Sequence, residues 1–218
     1  MKVSGTFDGQ GVYWASLNSD RNFMQLNPEQ DNAVKYIDSP LLVLAGAGSG
    51  KTRVITQKIV YLIEECGYKA NSVFAVTFTN KAAREMRERI GGILHKNLRR
   101  GLVVATFHNL CLKILKSDPE AFGLRTRFSI FDSQDAYALI QQLLDRKYSR
   151  DKEFVMQIQS IISNWKNDMK FPEDVLHIPL DTHVEQMAAS IYISYNDHLN
   201  TYNAVDFDDL ILLPVKFF

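Results

Sequence analysis

Cysteine is nearly absent: Cys66 and Cys111 are the two in 218 residues. That excludes a disulfide-stapled scaffold, and neither residue sits at the spacing of a redox or metal-binding pair. Both fall within apolar helical patterns and read as reduced core residues. Long apolar runs are also missing. None approaches the roughly 18 residues needed to span a bilayer, and residues 1–23 lack the basic-then-apolar layout of a signal peptide. The expectation is a soluble, cytoplasmic protein with no membrane partner. Charge of one sign is not in excess either, with 25 Lys and Arg against 25 Asp and Glu. Net charge therefore neither proposes nor excludes nucleic acid, and location must decide. No repeat is visible, and no His, Cys, Asp and Glu set has metal-site spacing.

What is present is enough apolar residue, 46% of the chain, to build one large domain or two small ones. Residues 1–23 carry scattered Gly, Asn, Ser and Asp without a period and read as an irregular leader. Asn27 before Pro28 is a helix start, since asparagine caps and proline suits the first helical position. Leu41 to Leu44, Ser72 to Phe78 and Gly101 to Thr106 contain short apolar runs that read as buried parallel strands. Between them lie helical patterns at Thr52–Glu65 (Val54, Ile55, Ile59, Leu62, Ile63) and Lys81–Ile90 (Ala82, Ala83, Met86, Ile90). Strand and helix in alternation predict an α/β parallel sheet.

After about residue 108 the strand signals fade. Phe154, Ile158, Ile161, Ile162 and Trp165 form one helical stripe, and Val184, Ala188, Ile191, Tyr195 and Leu199 another, predicting an all-helical subdomain. Asp206 to Val215 reads as a shorter apolar helix. Its acidic start, Asp206, Asp208 and Asp209, suits the positive end of a helix dipole better than a magnesium site.

The segment Ala45-Gly46-Ala47-Gly48-Ser49-Gly50-Lys51-Thr52 joins a predicted strand to a predicted helix, which is the setting a phosphate loop requires. Gly46, Gly48 and Gly50 permit positive φ and close backbone approach, so successive N–H groups can face phosphate oxygens. Lys51 adds a mobile cation for the β- and γ-phosphates, and Thr52 offers a hydroxyl to magnesium. The general pattern asks for glycine where Ala45 stands. A purely structural glycine turn is the alternative, but it explains the following Lys-Thr poorly. The ligand expected is ATP with Mg2+.

Taken together, several segments resemble the UvrD/Rep/PcrA group of superfamily 1 DNA helicases. Leu26-Asn27-Pro28-Glu29-Gln30 resembles the group's Q motif and Ala45 to Arg53 its motif I, alanine included. Val76 to Met86 resembles motif Ia, and Ala105-Thr106-Phe107-His108 the next DNA-contacting motif. Val205 to Pro214 resembles the segment that re-enters the first motor domain, and Ile162 to Asp168 also looks like the Rep branch. The match covers roughly residues 24–215.

The resemblance implies a P-loop NTPase (RecA-like) parallel sheet, incomplete here. Residues 24–110 would begin domain 1A, 111–204 would form a helical insertion, 1B, and 205–218 would return to 1A. It implies that Gln30 reads adenine, that Arg53 lies against it, and that Phe78, Thr79, Asn80, Thr106, Phe107 and His108 contact single-stranded DNA. An aromatic can stack on any base while Thr and Asn bond phosphates, as movement along any sequence needs. Phe78 and Phe107 could instead be core, Gln30 a plain helix-surface residue, and His108 a structural histidine. The basic stretch Lys81, Arg84, Arg87, Arg89, Lys96, Arg99 and Arg100 reads mainly as a solvated face with some capacity for DNA phosphates.

No Walker B pair, second motor domain or arginine finger can be found before the chain ends. The expectation is a 3′-to-5′ helicase portion, nucleoid-associated, that binds ATP but hydrolyses little alone. Replisome or repair proteins are further possible partners on the resemblance. The alternative is a non-catalytic nucleotide- or DNA-binding module. A small P-loop kinase lacks any lid or acceptor signal.

Overall fold

The computed structural model describes residues 26–218; the leader proposed for residues 1–23 lies outside them. The helix expected after Asn27 is α1, Pro28–Lys35. The Asn27 side chain accepts the Gln30 N–H (2.8 Å), and Gln30 Oε1 accepts the Asn27 N–H (3.1 Å). This reciprocal box satisfies two otherwise unpaired donors at the helix start. Helix α2, Lys51–Glu64, docks on α1, and its Lys58 ammonium donates to the carbonyls of Ala33 (3.0 Å) and Tyr36 at the end of α1.

Strand β1, Phe74–Thr77, is followed by α3, Asn80–Ile93, and strand β2, Val103–Thr106, by α4, Phe107–Ser117. The strands pair in parallel, from Phe74 opposite Val103 to Thr77 opposite Thr106. Ile59, Val60 and Ile63 of α2 and Ala83, Met86 and Ile90 of α3 bury against Val73, Ala75 and Val104. Ile55, expected on the core face of α2, is exposed.

The Leu41–Leu44 run does not join this sheet. It pairs with no strand among the described residues, and Leu42 and Leu44 are 81% and 85% exposed. Its composition suits burial on both faces, but neither a hydrogen-bonded edge nor a covering layer meets it here. Cys66 and Cys111 are free thiols and part-buried rather than fully core.

The region expected to be wholly helical contains a strand. Strand β3, Ser129–Phe131, precedes α5, Ser133–Leu143, α6, Lys152–Asn167, the single turn α7, Pro172–Val175, and α8, His183–Tyr202. Strand β4, Ala204–Asp206, then pairs with β3 in parallel before α9, Asp209–Phe217. The predicted Asp206–Val215 helix is thus a strand end, a two-residue turn and a helix. Asn203 makes the join: it takes the left-handed conformation (φ 51°), tolerated by asparagine, to end α8. Its side chain accepts the Arg125 N–H (2.7 Å) and donates to the Arg127 carbonyl (3.0 Å), setting β3 beside β4.

Ile158, Ile162 and Trp165 of α6 pack on Ala188, Tyr192 and Tyr195 of α8. A third cluster joins Leu115 of α4 and Leu124 to Val205 and Leu210. Between these clusters lies a buried charge, Lys166, 1% exposed. Its ammonium reaches Asp206 Oδ2 and Asp209 Oδ1, each at 2.7 Å, and Tyr195 Oη donates to Asp206 Oδ2 at 3.0 Å. The carboxylates also accept each other's backbone N–H groups, Asp209 N to Asp206 Oδ1 (2.9 Å) and Asp206 N to Asp209 Oδ2 (3.2 Å).

Burial would lower the Lys166 pKa, but the two carboxylates outweigh it and hold the ammonium above its ordinary range. Burial pushes Asp209 up to about 6. It also opposes ionisation of Asp206, yet Lys166 and the surrounding donors keep that carboxyl below its ordinary value. Two of the three acids, Asp206 and Asp209, are therefore committed to a lysine rather than serving only the helix dipole.

Replacing Lys166 by methionine leaves two buried carboxylates without their cation, a loss of about 3–5 kcal/mol near neutral pH. Without the cation both folded-state pKa values rise above the unfolded ones. The variant must then lose stability as pH rises through the window between them and recover as pH falls toward 4. Urea denaturation of Lys166→Met and the parent chain between pH 4 and 7 measures this narrowing gap.

Candidate nucleotide and nucleic-acid site

Between the unpaired Leu41–Leu44 run and α2, residues 45–50 form an open glycine loop. Gly48 and Gly50 have φ of 76° and 84°, a region costly for residues with a Cβ. Nothing lies within 4 Å of a Cβ built on Gly46 or Gly48, whereas one on Gly50 meets Gln30 Nε2 at 3.0 Å. The loop is braced by Ser49, whose hydroxyl donates to the Gly46 carbonyl (2.8 Å), and by Gln30, whose Nε2 donates to the Ser49 carbonyl (2.9 Å).

The start of α2 differs from its neighbours. Side chains cap α1, α3, α4, α5, α6 and α8, but Gly50 supplies no side-chain cap, and the first turn of α2 carries no acidic residue. Its leading N–H groups therefore remain available to an anion at the positive end of the helix. Lys51 Nζ is folded onto the carbonyls of Ala45 (2.8 Å) and Gly46 (2.7 Å), and Thr52 follows, exposed. A cleft of about 180 Å³ beside the loop is lined by Gln30, Val43, Ala45, Ser49, Lys51 and Val54, among others. Arg53 has a buried Nε with no hydrogen-bond partner. A buried unpaired donor of this kind costs about 1–3 kcal/mol until an acceptor meets it.

The second group of predicted residues lies at the C-terminal ends of β1 and β2, the edge at which parallel sheets take ligands. Phe78 is 95% exposed and Phe107 53%, which excludes the core reading for both. The Thr79 hydroxyl caps α3 by accepting the Ala82 N–H (3.1 Å). The Thr106 hydroxyl caps α4 through the Asn109 N–H (3.3 Å), and Thr106 is buried, so it orients the turn rather than forming its surface. Asn80 and Asn109 join the two helix starts, Asn109 Nδ2 donating to Asn80 Oδ1 at 2.8 Å. His108 is exposed and meets the edge of Phe207, ring centroids 6.3 Å apart.

Asn109 and Phe207 were not singled out from sequence. Phe207 is half-exposed between β4 and α9, and its signal was an aromatic inside an acidic turn, where a core role is poorly served. Four members of the basic stretch, Arg87, Lys96, Arg99 and Arg100, line a separate cleft.

The architecture is thus a mixed α/β one with short parallel sheets, an anion-ready helix start and an exposed aromatic edge. The model of the UvrD/REP helicase N-terminal domain matches residues 26–218, and the chain belongs to that family. It is 50% identical over 191 residues to the ATP-dependent DNA helicase Rep of Escherichia coli, covering 88% of this chain and 28% of that protein. Identity is 44% to Rep of Buchnera aphidicola subsp. Baizongia pistaciae, with the same coverages. It is 40% over 194 residues to the ATP-dependent DNA helicase PcrA of Staphylococcus aureus, covering 88% of this chain and 26% of that protein. The chain therefore spans a little over a quarter of the length of these relatives. Among the described residues no helix is long and apolar enough to cross a membrane.

Because Phe78 contributes almost nothing to the core, Phe78→Ala is expected to change stability by less than about 0.5 kcal/mol. Leu115→Ala, at a fully buried position, should cost about 2–5 kcal/mol. Urea midpoints of the two variants separate surface aromatic from core.

Proposed function

We propose that this chain is the ATP- and single-stranded-DNA-binding N-terminal part of an ATP-dependent 3′-to-5′ DNA helicase, of the type used in replication restart or repair. The observation that carries the reading is the uncapped start of α2, with Lys51 held on two loop carbonyls and Gln30 bonded to the loop itself. Anionic phosphate supplies what that geometry leaves unsatisfied: an acceptor for the first N–H groups and a counter-charge for Lys51. For the base, the Gln30 amide keeps a second N–H and a second lone pair beyond its bonds to Ser49 and Asn27, and Arg53 Nε has no hydrogen-bond partner. Thr52 would hold magnesium through its hydroxyl. The metal, when bound, supplies charge neutralisation between phosphate oxygens.

Phe78 and Phe107 would stack on bases without reading their identity, while Thr79 and Asn80 meet the backbone and His108 with Phe207 extends the same surface. Residues 24–110 and 205–218 would form domain 1A of a RecA-like motor and 111–204 the inserted domain 1B. In support, α5, α6 and α8 share a buried cluster of their own, while Leu115 and Leu124 tie the start of 1B to Val205 and Leu210 of the returning segment. The cleft beside the loop has Glu29 as its one carboxylate, so the 218-residue chain is expected to bind ATP and turn it over slowly by itself. On this reading the protein works in the cytoplasm, at the nucleoid.

Lys51→Ala should weaken ATP·Mg binding at least tenfold in titration calorimetry without changing the circular dichroism spectrum. Phe78→Ala should weaken binding of a labelled single strand roughly 5- to 150-fold, the range for losing one stacked base, whatever the sequence. Unchanged nucleotide affinity in the first variant, or unchanged DNA affinity in the second, removes the corresponding half of the reading.

A further inference from the structure

Outside both surfaces already described, α3, the 94–100 turn and the start of β2 enclose a cleft of about 570 Å³. Arg87, Lys96, Asn97, Arg99 and Arg100 line it over a floor of Ile90, Leu102 and Val104. Four cations converge there and no carboxylate lines it. None of the four has an ion-pair partner among the described residues, in a chain with as many acidic as basic residues. The adjoining cleft, which shares Lys96 and Arg99, carries Glu64 and His95. Like charges gathered without counter-charge carry an electrostatic cost that an incoming anion relieves.

Two of the cations are seated rather than free. Arg87 donates through Nη1 to the Val104 carbonyl at 2.9 Å, which fixes its guanidinium against β2 and leaves its other N–H groups available. The Arg99 guanidinium lies over Gly91, in space that any side chain at that position would claim. Lys96 and Arg100 are exposed beside them. Forked guanidiniums in fixed positions suit oxyanions that accept two hydrogen bonds at once.

No aromatic side chain lines the cleft, which sets its chemistry apart from the Phe78 and Phe107 edge. It can hold a charged backbone but offers no ring on which a base could stack. It also lies toward the N-terminal end of β2, whereas Phe107 follows its C-terminal end. The four-residue strand separates them by about 13 Å, a span of a few nucleotides. We infer that the Arg87, Lys96, Arg99 and Arg100 cleft is a second nucleic-acid contact, binding phosphodiester oxygens without regard to base. The phosphates come either from the strand running on from the aromatic edge or from duplex DNA. The inference rests on the reading that this chain engages DNA, but not on the aromatic edge being where it does so.

The test uses the 218-residue chain, a labelled 20-nucleotide single strand and a labelled 20-base-pair duplex, with anisotropy titrations from 50 to 300 mM NaCl. Lys96→Gln with Arg100→Gln removes two exposed cations and spares the two that brace the fold. If both touch phosphate, the slope of log affinity against log salt becomes shallower by about 1.8 on duplex or about 1.4 on single strand. Whichever DNA shows the change identifies the source of the phosphates. The same change should appear in a Phe78→Ala background, which separates this cleft from the aromatic edge. If the double variant loses its cooperative thermal transition, Arg100→Gln alone should shift the slope by about half as much. Unchanged slopes on both DNAs overturn the inference while leaving the Phe78 result intact. So does a Glu-rich peptide that binds the parent chain and not the variant while DNA binding is unaltered, since that assigns the cleft to an acidic protein segment.

Discussion

The ammonium of Lys166 is tolerable inside this protein because three separate stretches of chain converge on it. Helix α6 brings the lysine, β4 brings Asp206, and α9 brings Asp209, with Tyr195 of α8 donating to the Asp206 oxygen that Lys166 also bonds. A lone buried cation would be expelled or neutralised. Satisfying it therefore requires α6, α8, β4 and α9 to be in register at once. The aromatic rings of Tyr192 and Tyr195 lie within 5.8 and 5.3 Å of the ammonium and add favourable quadrupole contacts. Such a network is a weak source of net stability, but it penalises misplacement severely, because slipping either carboxylate leaves charge unpaired in a dry site.

That constraint reaches the functional surface through very short connections. Asp206 ends β4, Phe207 is the next residue, and Asp209 begins α9. Holding both carboxylates on Lys166 fixes the two-residue turn between them. The turn in turn fixes the ring that meets His108 beside Phe107. The helical region and the aromatic edge are thereby mechanically continuous.

Much of the site was legible because it is written in local chemistry. Asn27-Pro28 specifies a cap whatever surrounds it, and glycines before Lys-Thr specify an open loop into a helix. The Phe78 and Phe107 positions follow from the alternation of strand and helix. What was not legible depends on partners distant in sequence. Leu41 to Leu44 has the composition of a buried strand, but burial is conferred by neighbours, and among the described residues none pairs with it. Strand β3 is three residues long, too short for a period, and exists because Asn203, some 75 positions away, bonds its approach. Lys166 did leave a trace: with Ile158 and Ile162 it occupies every fourth position of α6, so the buried stripe contains a charge. Reading that stripe through to its end would have required buried acids elsewhere and pointed to Asp206 and Asp209.

The distribution of charge, rather than its sum, is what separates the surfaces of this neutral chain. Asp132 and Asp151 cap α5 and α6 and Asp206 and Asp209 neutralise Lys166, so these four carboxylates are spent on the fold. Neither the first turn of α2 nor the lining of the cleft beneath α3 carries an acidic group. Withholding a cap at α2 forgoes about 1 kcal/mol that six other helices take, and clustering four unpaired cations carries a further electrostatic cost. A bound anion would relieve both costs, one site offering N–H groups and the Lys51 ammonium, the other the guanidiniums of Arg87 and Arg99 with two exposed cations beside them. The edge at Phe78 and Phe107 offers rings in place of charge. On the proposed reading, a polymer with phosphates on its backbone and faces on its bases would meet both kinds of surface and a triphosphate the first; that partition of charge is what a neutral composition conceals.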